Sequence, residues 1–202
     1  MFKDKMDYLT FIGDGEPLLN SATEWLIEKV KEEHREVKVA VFTNGSLLYR
    51  GDVREGLQYA DVVKISIDAG SERVYRIINR PHPTLKLQQV IDGWVEFRRM
   101  FKGMIWGEVM MVEGVNDGEN EIMDIAKVLN LVKPDKVHIT IPIRPPAESW
   151  VKPATMDKLL KAISEFSKHV DHVEVLHWHE KGEFIICLLY TSPSPRDLST
   201  SR

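Results

Sequence analysis

Two stretches of this chain carry polar residues in patterns that can do chemistry. Gly13-Asp14-Gly15-Glu16-Pro17 follows the apolar run Tyr8 to Ile12. Its glycines permit positive φ and close backbone approach, while Pro17 removes one N–H and fixes its own φ. Such a loop presents N–H and C=O groups to a small polar ligand, and Glu16 adds an acceptor for an ammonium or a hydroxyl. A plain turn uses the same residue types, so the loop alone leaves both readings open. In Lys64-Ile65-Ser66-Ile67-Asp68, alternation puts Lys64, Ser66 and Asp68 on one face. A buried parallel strand would be apolar at all three positions, so the pattern reads as a ligand-lined interior or as a solvated edge strand. Asp14, Glu16, Asp68 and His138 together would also suit a divalent-metal hydrolase or lyase. His138, inside an apolar run, reads alternatively as a satisfied core or rim histidine. His177-Trp178-His179 can set two imidazoles on one side of a strand, and Glu32-Glu33-His34-Arg35-Glu36 reads as a wet helix end.

The frame around these residues is that of one ordinary domain. The chain has 202 residues, with 27 Lys+Arg against 31 Asp+Glu and a net charge of −4. It contains no apolar run of about 18 residues, and Met1 to Asp7 lacks the apolar centre of a secretion signal. A cytoplasmic protein without a membrane partner is expected. The slight acidity opposes wholesale electrostatic capture of nucleic acid. The single Cys187 excludes an internal disulfide and cannot by itself build a four-thiolate zinc or iron–sulfur site.

Five β-branched, apolar runs are each followed by a segment of helical period, the pattern of βα units around a parallel sheet. They are Tyr8 to Ile12, Val37 to Phe42, Val62 to Ile67, Met104 to Val112 and Lys136 to Ile141. Each empties into a polar or Gly/Pro-rich cluster at its carboxyl end, where βα proteins collect their chemistry. These clusters include Thr43-Asn44-Gly45, Glu113-Gly114-Val115-Asn116-Asp117 and Pro142-Ile143-Arg144-Pro145-Pro146. Ser21-Ala22-Thr23-Glu24 predicts a capping box. Apolar stripes at Leu87, Val90, Ile91 and Trp94, at Ile122, Ile125, Ala126 and Leu129, and at Met156, Leu159, Leu160, Ile163 and Phe166 predict three further helices. His172 to His177 and Glu183 to Leu189 read as a hairpin around Glu180-Lys181-Gly182. From about Leu188 the composition is that of a disordered tail, which resembles translated adaptor sequence.

Thr10-Phe11-Ile12-Gly13-Asp14-Gly15-Glu16-Pro17-Leu18, Thr43-Asn44-Gly45 and Ser66-Ile67-Asp68-Ala69, at three successive strand ends, resemble radical S-adenosylmethionine (SAM) enzymes. Within that superfamily, Ile65 to Arg80-Pro81 resembles the enzymes that build the tricyclic wyosine base on tRNA and their iron–sulfur oxidoreductase relatives. The likeness runs from about Asp7 to Ala147. It implies an α/β fold, a partial (β/α) radical SAM barrel lacking its first strand and cluster loop, with a short C-terminal hairpin. The expected division is 1–170 for the partial barrel, 171–187 for appended strands and 188–202 for a disordered, non-native tail.

The resemblance also implies a site. Gly13, Gly15, Glu16 and Pro17 would hold the amino group of SAM, and Asn44, Ser66 and Asp68 would lie near its carboxylate and ribose. Val115 and Asn116, with the backbone at Ile141 and Pro142, correspond to the adenine side. Arg80, His82 and Arg144, with Lys152, form a weak basic rim that would meet tRNA phosphates. The family carries three cysteines in a C-x3-C-x2-C loop that hold a 4Fe–4S cluster; no such motif is present, and the Gly-Glu-Pro loop begins at Gly13. The chain therefore reads as an amino-terminally truncated, inactive fragment. Its parent would cleave SAM reductively to a 5′-deoxyadenosyl radical, fed by a donor such as ferredoxin or flavodoxin. A missing strand would leave an open sheet edge and low solubility. A metal-dependent hydrolase or lyase and a non-catalytic binding domain are the alternatives.

Overall fold

The computed structural model describes residues 6–143 and 145–176. Its described residues form one sheet of six strands in the order β1-β2-β3-β4-β5-β6, each parallel to its neighbours. The strands are β1 (Leu9–Phe11), β2 (Val39–Thr43), β3 (Val62–Ser66), β4 (Met104–Met110), β5 (Lys136–Thr140) and β6 (Val173–Val175). The helices are α1 (Ala22–Glu33), α2 (Gly51–Gly56), α3 (Glu72–Ile78), α4 (Leu87–Met100), α5 (Glu119–Val132) and α6 (Met156–Phe166). Parallel strands alternating with helices make this a partial (β/α) barrel.

All five expected runs are strands. The segment read as the first arm of a hairpin enters the sheet as β6, parallel to β5. Its expected partner, Glu183 to Leu189, lies outside the described residues, as do Arg144, His177, His179, Cys187 and the tail 188–202.

Local chemistry explains where expectation and structure part. Ser21 is helical in conformation and its side chain makes no capping bond, so the expected capping box does not form. Asn20 takes that place, its Oδ1 accepting from Ala22 N at 3.0 Å and its carbonyl from Thr23 N at 3.0 Å. Helix α3 was not anticipated, because seven residues carry too short an apolar period to register. Its start is secured by a distant residue: Glu121, on α5, accepts from Gly70 N at 2.7 Å and from Ser71 Oγ at 2.6 Å, and Ser71 Oγ in turn accepts from Val74 N.

The sheet has two unlike faces. Val39, Val41, Val63, Ile65, Ile105, Val109, Val137 and Ile139 are buried against Ile27, Leu57, Val90, Trp94, Phe97, Ile125, Leu129 and Phe166. Each such side chain contributes roughly 1.5–3 kcal/mol. Alternation sends Phe42, Lys64, Ser66, Trp106, Glu108, Lys136 and His138 to the opposite face, which in a (β/α) barrel is the interior. Among the described residues no helix is long and apolar enough to cross a membrane.

Candidate functional site

The Gly-Glu-Pro loop is held by its own glutamate. Glu16 Oε1 accepts from Leu18 N at 3.1 Å and from Thr43 Oγ1 at 2.5 Å, and Oε2 accepts from Asn44 N at 2.8 Å. Three of the roughly four lone-pair directions of the carboxylate are thus engaged by the protein. Glu16 joins the end of β1 to the end of β2, while Gly13, Asp14 and Gly15 are exposed.

The second loop is equally constrained. Gly45 has φ +66°, and a Cβ there would fall 2.3 Å from Trp94 Nε1. The absence of a side chain lets the Trp94 indole donate to Gly45 O at 3.0 Å. Asn44 Oδ1 accepts from Ser46 N at 2.8 Å.

These loops border an open cavity of about 280 Å³ lined by Gly15, Glu16, Pro17, Thr43, Asn44, Ser66, Phe42, Lys64 and Glu108. Lys64 and Glu108 form an ion pair, their side chains only 15% and 19% exposed. With β3 paired on both sides, its alternation marks an interior face rather than a solvated edge. Glu108 went unrecognised in the sequence, where it stands as one acidic residue in an otherwise apolar run; the available signal was its place in register with Ser66.

Asp68 and Asn116 tie the ends of β3 and β4 together. Asp68 is buried, its Oδ1 accepting from Met110 N at 2.9 Å and its Oδ2 from Asn79 Nδ2 at 3.3 Å. Burial pushes its pKa up to about 6, the Met110 hydrogen bond pulling the other way and the Glu108 charge adding to the rise. Asn116 is fully buried; its Nδ2 donates to Asp68 O at 2.9 Å and to Met110 O at 2.8 Å, and its Oδ1 accepts from Val112 N at 2.7 Å. Its amide clamps the ends of β3 and β4 together. Val115, Ile141 and Pro142 are half-buried at the ends of β4 and β5.

The remaining candidates are separate. Arg80, at φ +45°, donates to Glu148 Oε1 at 2.9 Å. Arg76 holds the same loop by donating to His82 O and Leu85 O. Arg80 and His82 line a neighbouring cavity of about 380 Å³ that shares Glu16 and Asn44 with the first. A larger hollow of about 700 Å³ opens near Met104, Lys136 and His172, at the amino ends of β4 and β5. That is the wrong end of a parallel sheet for ligand chemistry.

Asp14, Glu16, Asp68 and His138 do not converge: Glu16 and Asp68 are engaged as described, and His138 faces Glu174 on β6. Among the described residues no group of three or more His, Cys, Asp and Glu side chains is placed to hold a metal. A 4Fe–4S cluster needs three thiolates beside its open iron, and the described residues include no cysteine; they do not fit that group. The cavity lining, with the Glu16 and Glu108 carboxylates, the polar side chains of Asn44 and Ser66 and the Phe42 ring, has the donor, acceptor and apolar chemistry that a zwitterionic nucleoside would need.

The sequence pattern of the radical SAM superfamily matches residues 2–126. The chain belongs to the radical SAM superfamily. The UPF0026 protein MJ1312 of Methanocaldococcus jannaschii is 33% identical over 184 residues, which cover 90% of this chain and 57% of that protein. The chain thus spans little more than half the length of this curated relative. A domain of pyruvate-formate lyase-activating enzyme from Bacteroides vulgatus superposes with a TM-score of 0.65 at 17% identity, covering 84% of this chain and 99% of that domain. SuiB of Streptococcus suis, in a structure bound to S-adenosylmethionine, gives 0.65 at 12% identity over 84% of this chain and 39% of its own. SuiB is also known bound to the precursor peptide SuiA.

Proposed function

We propose that this domain binds SAM at the carboxyl ends of β1 to β3, within the barrel. The observation that carries the reading is the single cavity uniting the Glu16 loop, Asn44 and Ser66 with the Lys64–Glu108 pair. The exposed carbonyls of the Gly13–Gly15 backbone accept from the ammonium, in a loop that Glu16 holds in place. Asn44 and Ser66 donate to the carboxylate and the ribose, and Asp68 positions the end of β3 through Met110. When bound, SAM supplies a sulfonium-activated carbon. Its reductive cleavage requires a thiolate-held cluster, so the activity proposed for these residues is binding and orientation, in a reducing cytoplasmic setting.

A tRNA substrate, which the likeness to wyosine-forming enzymes implies, has less support. Arg80 is already paired with Glu148, and Arg144 lies outside the described residues. Amide hydrogen exchange of the full chain tests the SAM reading. Addition of SAM should slow exchange at Gly13 to Glu16 and at Asn44 to Ser46, while protection confined to other segments would overturn it.

A further inference from the structure

A second hollow, of about 380 Å³, opens where the loop after β2 meets the loop between α3 and α4. Glu16 and Asn44 border both it and the cavity proposed for SAM. Beyond those two residues the linings part. The first cavity is lined by strand residues of the interior face, Lys64, Ser66 and Glu108 among them, whereas the second is walled by Tyr75, Leu47 and Leu85. Tyr75 belongs to the core between sheet and helices, and Leu47 and Leu85 pack against that core. The second hollow therefore lies on the helix side of these loops, outside the barrel interior, and its volume suits a small molecule.

Its polar groups are donors with bonds to spare. Tyr75 is 4% exposed, and its hydroxyl is neither hydrogen-bonded among the described residues nor sealed from the cavity. His82 Nδ1 accepts from Thr84 N at 3.4 Å, which places the ring proton on Nε2 and leaves that nitrogen to donate. Arg80 gives an N–H to Glu148 and keeps its other donors. The loop that carries Arg80 and His82 is fixed: Arg76 donates to His82 O at 3.2 Å and to Leu85 O at 2.6 Å. Arg80 itself is held at φ +45°, an uncommon conformation for any residue with a side chain. Glu16, the carboxylate in the lining, is already engaged by three donors. Apolar surface completes the wall, Leu19, 73% exposed, standing with Leu47 and Leu85.

We propose that this hollow binds a small carboxylic acid with an apolar or aromatic body. Arg80, His82 Nε2 and the Tyr75 hydroxyl take the carboxylate, and Leu19, Leu47 and Leu85 take the body. A cation would find no free carboxylate here, because Glu16 is already bonded. A purely apolar ligand would leave the buried Tyr75 hydroxyl and its neighbouring donors unmet, which is costly. A bare phosphate would leave the leucine wall wet. Charge-assisted bonds to a carboxylate satisfy the donors, and a compact apolar body covers the leucines. The assignment does not require SAM to bind, since none of these groups lines the other cavity.

The test is fluorine NMR of 4-fluorophenylacetate titrated into the full chain, with 2-(4-fluorophenyl)ethanol as the uncharged control. Saturable binding of the acid is expected, about tenfold tighter than that of the alcohol. Arg80→Gln should weaken the acid about tenfold. Tyr75→Phe, a milder variant that keeps the ring, should weaken it less, with circular dichroism unchanged. Glu148→Gln should strengthen binding by freeing the guanidinium. Equal binding of acid and alcohol, no binding of the acid, or unchanged affinity in both Arg80→Gln and Tyr75→Phe overturns the proposal. Displacement of the probe by SAM would place it in the other cavity and overturn a separate site. Probe binding in a protein that fails to bind SAM would support this site and sink only the SAM reading.

Discussion

The hydroxyl of Thr43, the last residue of β2, donates to Glu16 Oε1 at 2.5 Å. That one bond couples the Gly-Glu-Pro loop after β1 to the Thr-Asn-Gly loop after β2, because Thr43 Oγ1 also accepts from Gly45 N at 2.9 Å. The Gly-Glu-Pro loop is thus a structural joint between β1 and β2.

Thr43→Val keeps the shape of the side chain and removes one of the two bonds that join these loops, leaving Asn44 N to Glu16 Oε2 in place. It leaves Glu16 short of a donor and Gly45 N without its acceptor, so chemical denaturation should show a loss of about 1–3 kcal/mol. Unchanged stability would mean that the Glu16 loop is held by other contacts.

Gly45→Ala should be costlier. Its Cβ would occupy the place of the Trp94 indole N–H at a positive φ, and the strain together with the lost bond should exceed about 2 kcal/mol. Trp94→Phe, which removes only the N–H, should cost less, and the order of the two midpoints in a urea titration checks the argument.

Asp68 predicts a pH dependence of known sign. Its folded pKa of about 6 stands above the ordinary carboxylate value of 3.8, so the folded state holds that proton more tightly than the unfolded chain does. The resulting stabilisation is complete below about pH 4 and is lost as pH rises through 6, a swing of about 3 kcal/mol. Stability of the native protein relative to Asp68→Asn should fall between pH 4 and 7. A flat difference would show that the carboxylate is as well solvated in the fold as outside it.

With one cysteine in the whole chain, anaerobic reconstitution with iron and sulfide should yield no stable 4Fe–4S cluster. A brown protein holding four iron and four sulfide per chain would contradict this.

Much of the architecture was legible because β-branched runs and apolar helical stripes report burial directly, and five strands follow from them. Glu16, Asn44 and Ser66 were visible because polar residues at strand ends interrupt those runs. What escaped depends on distant partners. Helix α3 is started by Glu121, some fifty residues away, and Glu108 matters only through its register with Ser66. Asn116 looked like a ligand residue from its loop, but its amide is occupied by three backbone bonds that no local pattern discloses. The Ser21 capping box had the right letters, and Asn20 one position earlier took the role.

Isothermal titration of SAM into the purified chain and its Glu16→Ala variant addresses the central assignment most directly. One saturable site per chain, weakened about tenfold or more in the variant, is the expected result. Absence of binding to the native chain, or equal affinity in both proteins, would contradict it.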